Sequence, residues 1–99
     1  MWLLIDDCRD LGCEIIARTP DIAKKILFSQ IGEFDCVCFG HDLGGIETGY
    51  DVLKYALELD LLPNRVQLIT SNPVGRENMG KLLNGYMYVS KDRINYYRS

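Results

Sequence analysis

Apolar residues fall into short continuous runs separated by stretches with a helical rhythm, and this alternation predicts strands interleaved with helices. Residues 2–5, Trp-Leu-Leu-Ile, form the first run, which stops abruptly at Asp6-Asp7. It reads as a buried strand with two carboxylates at its tip. An isoleucine-rich second strand follows over 13–17. Only Cys8-Arg9-Asp10-Leu11-Gly12 separates the two, too little for a crossover helix. A parallel pair requires this link to run nearly extended, at about 3.3 Å per residue; the alternative is an antiparallel pair. Parallel pairing is the expectation adopted.

Thr19-Pro20-Asp21 is a helix start, with Thr19 as N-cap, Pro20 in the first turn and Asp21 favoured by the helix dipole. Ile22, Ala23, Ile26 and Leu27 share one face of that helix, which should run to about Gln30. A third strand is expected over 34–39, broken only by Asp35, and it leads into the loop Gly40-His41-Asp42-Leu43-Gly44-Gly45. Thr48 and Asp51 begin a second helix with a capping-box pattern, and Val52, Leu53, Tyr55, Ala56 and Leu57 supply its apolar side up to Pro63-Asn64. Residues 66–69 form a fourth strand. Asn72 then caps a third helix with Pro73 at its first position and a small stripe of Met79, Leu82 and Leu83, weakened by Gly75 and Gly80. Gly75 reads as room for a ligand or for tight helix packing. A fifth strand is expected over 86–89, and residues 90–99 are polar and aromatic, with at most a turn or two of helix.

This order predicts an α/β domain with a mainly parallel sheet covered by helices on both faces. Ligands of such sheets bind beyond the carboxyl ends of the strands. Polar residues collect there: Asp6 and Asp7, His41 and Asp42, Thr70, Ser71 and Asn72, then Ser90 and Lys91.

Ninety-nine residues suffice for one domain, taken as 1–99. Hydrophobic residues at 47% and charged residues at 25% exclude a disordered chain. Eleven Lys and Arg against 14 Asp and Glu leave a net charge of −3, which removes the electrostatic basis for general nucleic-acid binding. No apolar stretch reaches the ~18 residues of a membrane span, and the start of the chain lacks a basic flank or cleavage pattern. A cytoplasmic protein is expected. Cys8, Cys13, Cys36 and Cys38 show no C-x-x-C spacing. Cys36 and Cys38 would point to one face of a strand as small buried hydrophobes, with a zinc site completed by His41 as the second option.

Carboxylates from separate strand tips can share a hard divalent cation, and Asp6, Asp7 and Asp42 are the candidate ligands for Mg²⁺ or Mn²⁺. Without the cation the acidic pocket would repel a phosphate; with it, phosphoryl oxygens become polarised. The imidazole of His41, beside Asp42, can protonate a leaving alkoxide or activate water. Ser71-Asn72-Pro73-Val74-Gly75-Arg76 can set helix N–H groups and a guanidinium around an anion. Each feature also has a plain reading: solvated turn carboxylates, a loop histidine, and an ordinary strand-to-helix turn with Arg76 in solvent.

The blocks I-D-D-C-R at 5–9, A-R-T-P-D-I-A at 17–23, F-G-H-D-L-G at 39–44, T-G-Y-D-V at 48–52 and N-P-V-G-R-E-N-M at 72–79 together resemble the cyclic-phosphate processing receiver-like domains, up to about Tyr86. The resemblance implies a receiver-like (flavodoxin-like) three-layer sandwich with a mainly parallel five-stranded sheet, truncated relative to a full receiver. It also implies that Asp6, Asp7, Arg9, His41, Asp42, Thr70 and Asn72 line a site for nucleotide cyclic phosphates. Two positions depart from the family: Gly40 stands where an aspartate usually precedes H-D-L-G, and Ile69 stands where a histidine precedes the N-P pair. Phosphorelay through an acceptor aspartate is therefore disfavoured. Lys91 stands where a receiver carries its lysine, and the chain has no room for a receiver's terminal helix.

The expected function is binding, with metal-dependent hydrolysis, of a cyclic phosphate on a nucleotide-type ligand. His41 and Asp42 are the catalytic candidates, and Arg9, Thr70, Ser71, Asn72 and Arg76 the phosphate-binding ones. The alternative, favoured by Gly40 and Ile69, is an inactive module that sequesters a nucleotide signal or docks on a protein partner. A contact surface at Tyr96-Tyr97, with the pocket empty, is the third reading.

Overall fold

A computed structural model describes residues 1–99 and places nine elements in the order β1 (Trp2–Ile5), β2 (Ile15–Ala17), α1 (Pro20–Ser29), β3 (Cys36–Phe39), α2 (Gly49–Glu58), β4 (Arg65–Leu68), α3 (Pro73–Gly85), β5 (Tyr88–Val89) and β6 (Asn95–Arg98). The strands make one sheet, β2-β1-β3-β4-β6-β5. β2, β1, β3 and β4 are mutually parallel, as expected, and β6 runs antiparallel to both β4 and β5. The link between β1 and β2 is not extended. It turns, with Leu11 and Gly12 at φ 53° and 70° and the Gly12 N–H donating to Asp10 Oδ1 at 3.1 Å.

Helix starts follow the capping residues. Thr19 Oγ1 accepts from the Ile22 N–H at 3.3 Å, Asn72 Oδ1 accepts from the Gly75 N–H at 3.0 Å, and Asp51 accepts from the Thr48 N–H at 2.8 Å. Each contact satisfies a donor that the helix or its entry would otherwise leave bare. All three helices pack on one face of the sheet. Leu3, Ile5, Val37, Phe39, Val66 and Leu68 meet Leu27, Val52, Leu53, Ala56, Met79 and Leu83 there in a single core.

The other face carries no helix, so the sandwich has two layers and not the expected three. The β1–β2 link is a short turn with no crossover helix, and after α3 the chain adds only the strands β5 and β6. Leu4, Cys36 and Cys38 are nevertheless fully buried on this face. Long side chains cover them. Strand register aligns Trp2, Cys36, Arg65 and Tyr97 in one row across the sheet. The Arg65 guanidinium lies 4.8 Å from the Trp2 ring centre and 5.7 Å from that of Tyr97. In the next row Cys38 Sγ meets Gln67 Oε1 at 3.4 Å, and Gln67 donates to Asn95 Oδ1 at 2.9 Å.

The sheet has six strands where five were expected. Residues 90–99, read from sequence as polar and aromatic with at most a turn or two of helix, turn back and insert β6 between β4 and β5. Asp92 shapes that turn by accepting from the N–H groups of Ile94 and Asn95 at 2.9 and 2.8 Å. β6 then buries Tyr96 towards the helices and exposes Tyr97 on the opposite face, the period-2 pattern of a strand. No helix of the protein is long and apolar enough to cross a membrane.

Candidate functional site

The parallel strands deliver Asp6, Gly40, His41 and Thr70 to one edge of the sheet, beyond their carboxyl ends. Asp6 is 1% exposed. Its Oδ2 accepts from the N–H groups of Cys8 and Arg9 at 3.1 and 2.6 Å, and its Oδ1 meets Arg9 Nη1 at 3.1 Å. Burial pushes this carboxyl up, but the two amides and the guanidinium outweigh it and hold Asp6 below the usual carboxylate range. Arg18 braces the same loop by donating to the Arg9 carbonyl at 2.7 Å.

Gly40 has a structural cause. A Cβ there would collide with Asp6 Oδ1 and crowd the Ile5 carbonyl. The Asp6 carboxylate thus occupies the space next to β3 into which a side chain at position 40 would project.

Asp7 and Cys8 are exposed beside Asp6, and the ligand atoms of these three residues lie within 4.8 Å of one another. Asp42 is outside this group. Its side chain is 75% exposed and it contacts His41 Nδ1 at 3.3 Å, so the expected three-aspartate set does not converge. Asp7 pushes the Cys8 thiol up, which keeps it protonated and a poor ligand. Both lone pairs of Asp6 Oδ2 are taken; one on Oδ1 remains, and the exposed Asp7 carboxylate is engaged only by the Cys8 thiol. Two carboxylates with water completing the shell fit Mg²⁺ or Mn²⁺, although Arg9 offsets part of the charge that would hold it. The zinc alternative is not assembled, because Cys13, Cys36 and Cys38 pack on the helix-free face while His41 turns towards α3.

The His41 ring rests on the first turn of α3, where a Cβ at Gly75 would overlap it. Its carbonyl accepts from the Gly49 N–H at 2.6 Å, tying the loop to the start of α2. The imidazole lines a cleft of about 510 Å³ between α2 and α3, together with Thr48, Tyr50, Asn78, Lys81 and Leu82. Gly75 is therefore the platform that lets this histidine reach the helix. The glycine was visible in the sequence as room for something; its occupant was not.

The fourth strand tip is largely committed to its own turn. Thr70 is buried and its Oγ1 accepts from the Asn72 N–H at 3.0 Å, while the side-chain Oδ1 of Asn72 caps α3. Ser71 is exposed. Arg76 folds back to donate to the Thr70 carbonyl at 2.6 Å and lines a different cleft, on the far side of α3 from His41. The structure thus gathers Asp6, Asp7 and Arg9 in one group and sets His41 beside the α3 start, with Asp42 on its rim and Arg76 apart. Sequence reasoning missed Arg18, Asn78 and Lys81 as neighbours of these groups. Arg18 lies within the A-R-T-P-D-I-A block, which was a usable signal; Asn78 and Lys81 had none beyond their helix face.

The family model of the cyclic-phosphate processing receiver domain matches residues 1–85. The chain belongs to this family. No curated protein and no solved structure matches it. The matched stretch of this receiver domain holds every strand tip of the site and all three helices, whereas β5 and β6 lie beyond it. At Gly40 the Asp6 carboxylate lies where a side chain at that position would project. Ile69 is a half-buried apolar side chain on the helix-free face.

Proposed function

We propose that this receiver domain binds a nucleotide-type small molecule through a cyclic phosphate at the carboxyl edge of the sheet, and opens the ring by hydrolysis. The observation that carries the reading is the placement of His41, seated on Gly75 at the α3 start and on the same edge as the Asp6-Asp7 tip, within a chain of this family. Asp7 and the free lone pair of Asp6 would hold Mg²⁺ or Mn²⁺, which would offset the acidic charge and polarise the phosphoryl oxygens. Asp42 acts on His41 and not on the cation. A hydrogen bond from Nδ1–H to Asp42 leaves Nε2 as the atom that exchanges a proton with the substrate. In the reaction a water oxygen bonds to phosphorus, one ring P–O bond breaks, and the departing alkoxide takes a proton from His41, yielding a phosphomonoester and a free hydroxyl. The water's own proton passes to solvent. Ser71, the Asn72 amide group and Arg9 contact the phosphoryl oxygens, and the Thr70 hydroxyl holds their turn in shape. A reducing, cytoplasmic setting agrees with four free cysteines.

Product analysis with a panel of nucleoside 2′,3′- and 3′,5′-cyclic phosphates in Mg²⁺ tests this. His41→Ala should lower turnover roughly 100-fold or more, the usual size of a lost general acid, and Asp7→Asn should abolish the response to metal. Wild-type rates in both variants would end the proposal. A second reading, a binding module without chemistry, is favoured by two observations: Asp6 is paired with Arg9, and position 40 offers no carboxylate. Calorimetric binding of a cyclic nucleotide with no product formed would select it.

A further inference from the structure

A second cleft, of about 500 Å³, lies on the opposite side of α3, between that helix and the 90–94 turn. Arg76, Lys81 and Arg93 face it against one carboxylate, Glu77, which lies 3.2 Å from Lys81. The chain as a whole carries a net charge of −3, so this concentration of cations is local. Two hydroxyl residues, Ser90 and Tyr96, complete the wall. Tyr96 is buried, and its hydroxyl reaches the cleft only because residue 80 is glycine; a Cβ there would overlap the phenol oxygen. Arg76 is anchored through Nη2 to the Thr70 carbonyl, while its buried Nε finds no acceptor in the protein. On the other wall Arg93 is held at φ 62°, and its N–H donates to Ser90 Oγ at 2.8 Å.

We infer that this cleft binds the phosphate group of a small phosphomonoester, with Arg76, Lys81 and Arg93 as its cationic contacts and the Tyr96 hydroxyl as a hydrogen-bonding partner. A doubly charged anion matches three cations offset by one carboxylate, and guanidinium groups pair with phosphate oxygens through parallel N–H donors. The site requires no divalent cation, and although Lys81 also lines the His41 cleft, Arg76 and Arg93 do not, so their contribution separates this site from the hydrolytic reading.

Phosphorus NMR titrations in chelator-treated buffer, with inorganic phosphate and with a 5′-nucleoside monophosphate as probes, test it. Both probes should bind, and Arg93→Gln and Lys81→Gln should each weaken binding roughly tenfold, as expected for losing one charged hydrogen bond. Lys25→Gln, which alters an exposed lysine on α1 away from the cleft, should leave affinity unchanged. Tighter binding of the nucleotide than of phosphate would assign an ester as the ligand; equal binding would assign the phosphate group alone. Absence of binding by both probes, or unchanged affinity in both cleft variants with wild-type melting temperatures, would overturn the inference.

Discussion

Asp6 and His41 owe their positions to glycines that leave room for them. Gly75→Ala should add up to about 1 kcal/mol of helix propensity while its Cβ displaces the imidazole from α3. The expected outcome is an unchanged or slightly raised melting temperature with turnover falling towards that of His41→Ala, read by thermal melting beside product analysis. Asp6 gives a pH signature. Its folded-state carboxyl lies below the ordinary 3.8, so the stability it contributes is complete above that pH and is lost as pH falls through the folded value. Asp6→Asn should cost about 1–3 kcal/mol at neutral pH through unsatisfied donors. Denaturant unfolding at several pH values should show this gap closing below about pH 3.8.

Strand alternation decides what covers each face of the sheet, and the helix-free face relies on a layer of side chains. Arg65 spans Trp2 and Tyr97 and donates to Asn95 Oδ1 at 2.9 Å, roofing the Cys36–Cys38 pair. Cys36 beside it, together with burial, pushes the Cys38 thiol up, so it behaves as a small apolar group. Arg65→Ala should lose about 1–2 kcal/mol of cation–π and packing energy and raise the rate at which a thiol reagent labels these cysteines. Unchanged labelling would show that the roof is not what protects them.

The whole domain is closed by its last ten residues, which lie outside the family-matched stretch. β6 pairs with both β4 and β5 and carries Tyr96 into the main core. Tyr88 belongs to the same closure: its hydroxyl donates to the Pro63 carbonyl at 2.6 Å and accepts from Arg98 at 2.6 Å. A chain ending at Val89 would expose the β4 edge and a side of the core together. Such a truncation should abolish cooperative unfolding in circular dichroism, whereas a chain that still melts sharply would show that the β6 pairing is dispensable.

Much of this architecture was readable without coordinates, because local chemistry dictates it. Strand and helix periods, the Thr19, Thr48 and Asn72 caps, and the Asp6-Asp7 and His41 strand ends all depend on residues a few positions apart. Parallel pairing of β1 with β2 is not dictated by the apolar runs, which also allow an antiparallel pair, and the link, expected to be extended, is a turn. Tertiary structure alone decided which groups meet. Asp42 faces His41 and not Asp6, Arg76 turns to a second cleft, and the Tyr96–Tyr97 segment becomes an inserted strand. These outcomes depend on the direction in which each strand tip projects and on which side chain claims the space a glycine leaves, quantities fixed by packing between residues distant in the chain.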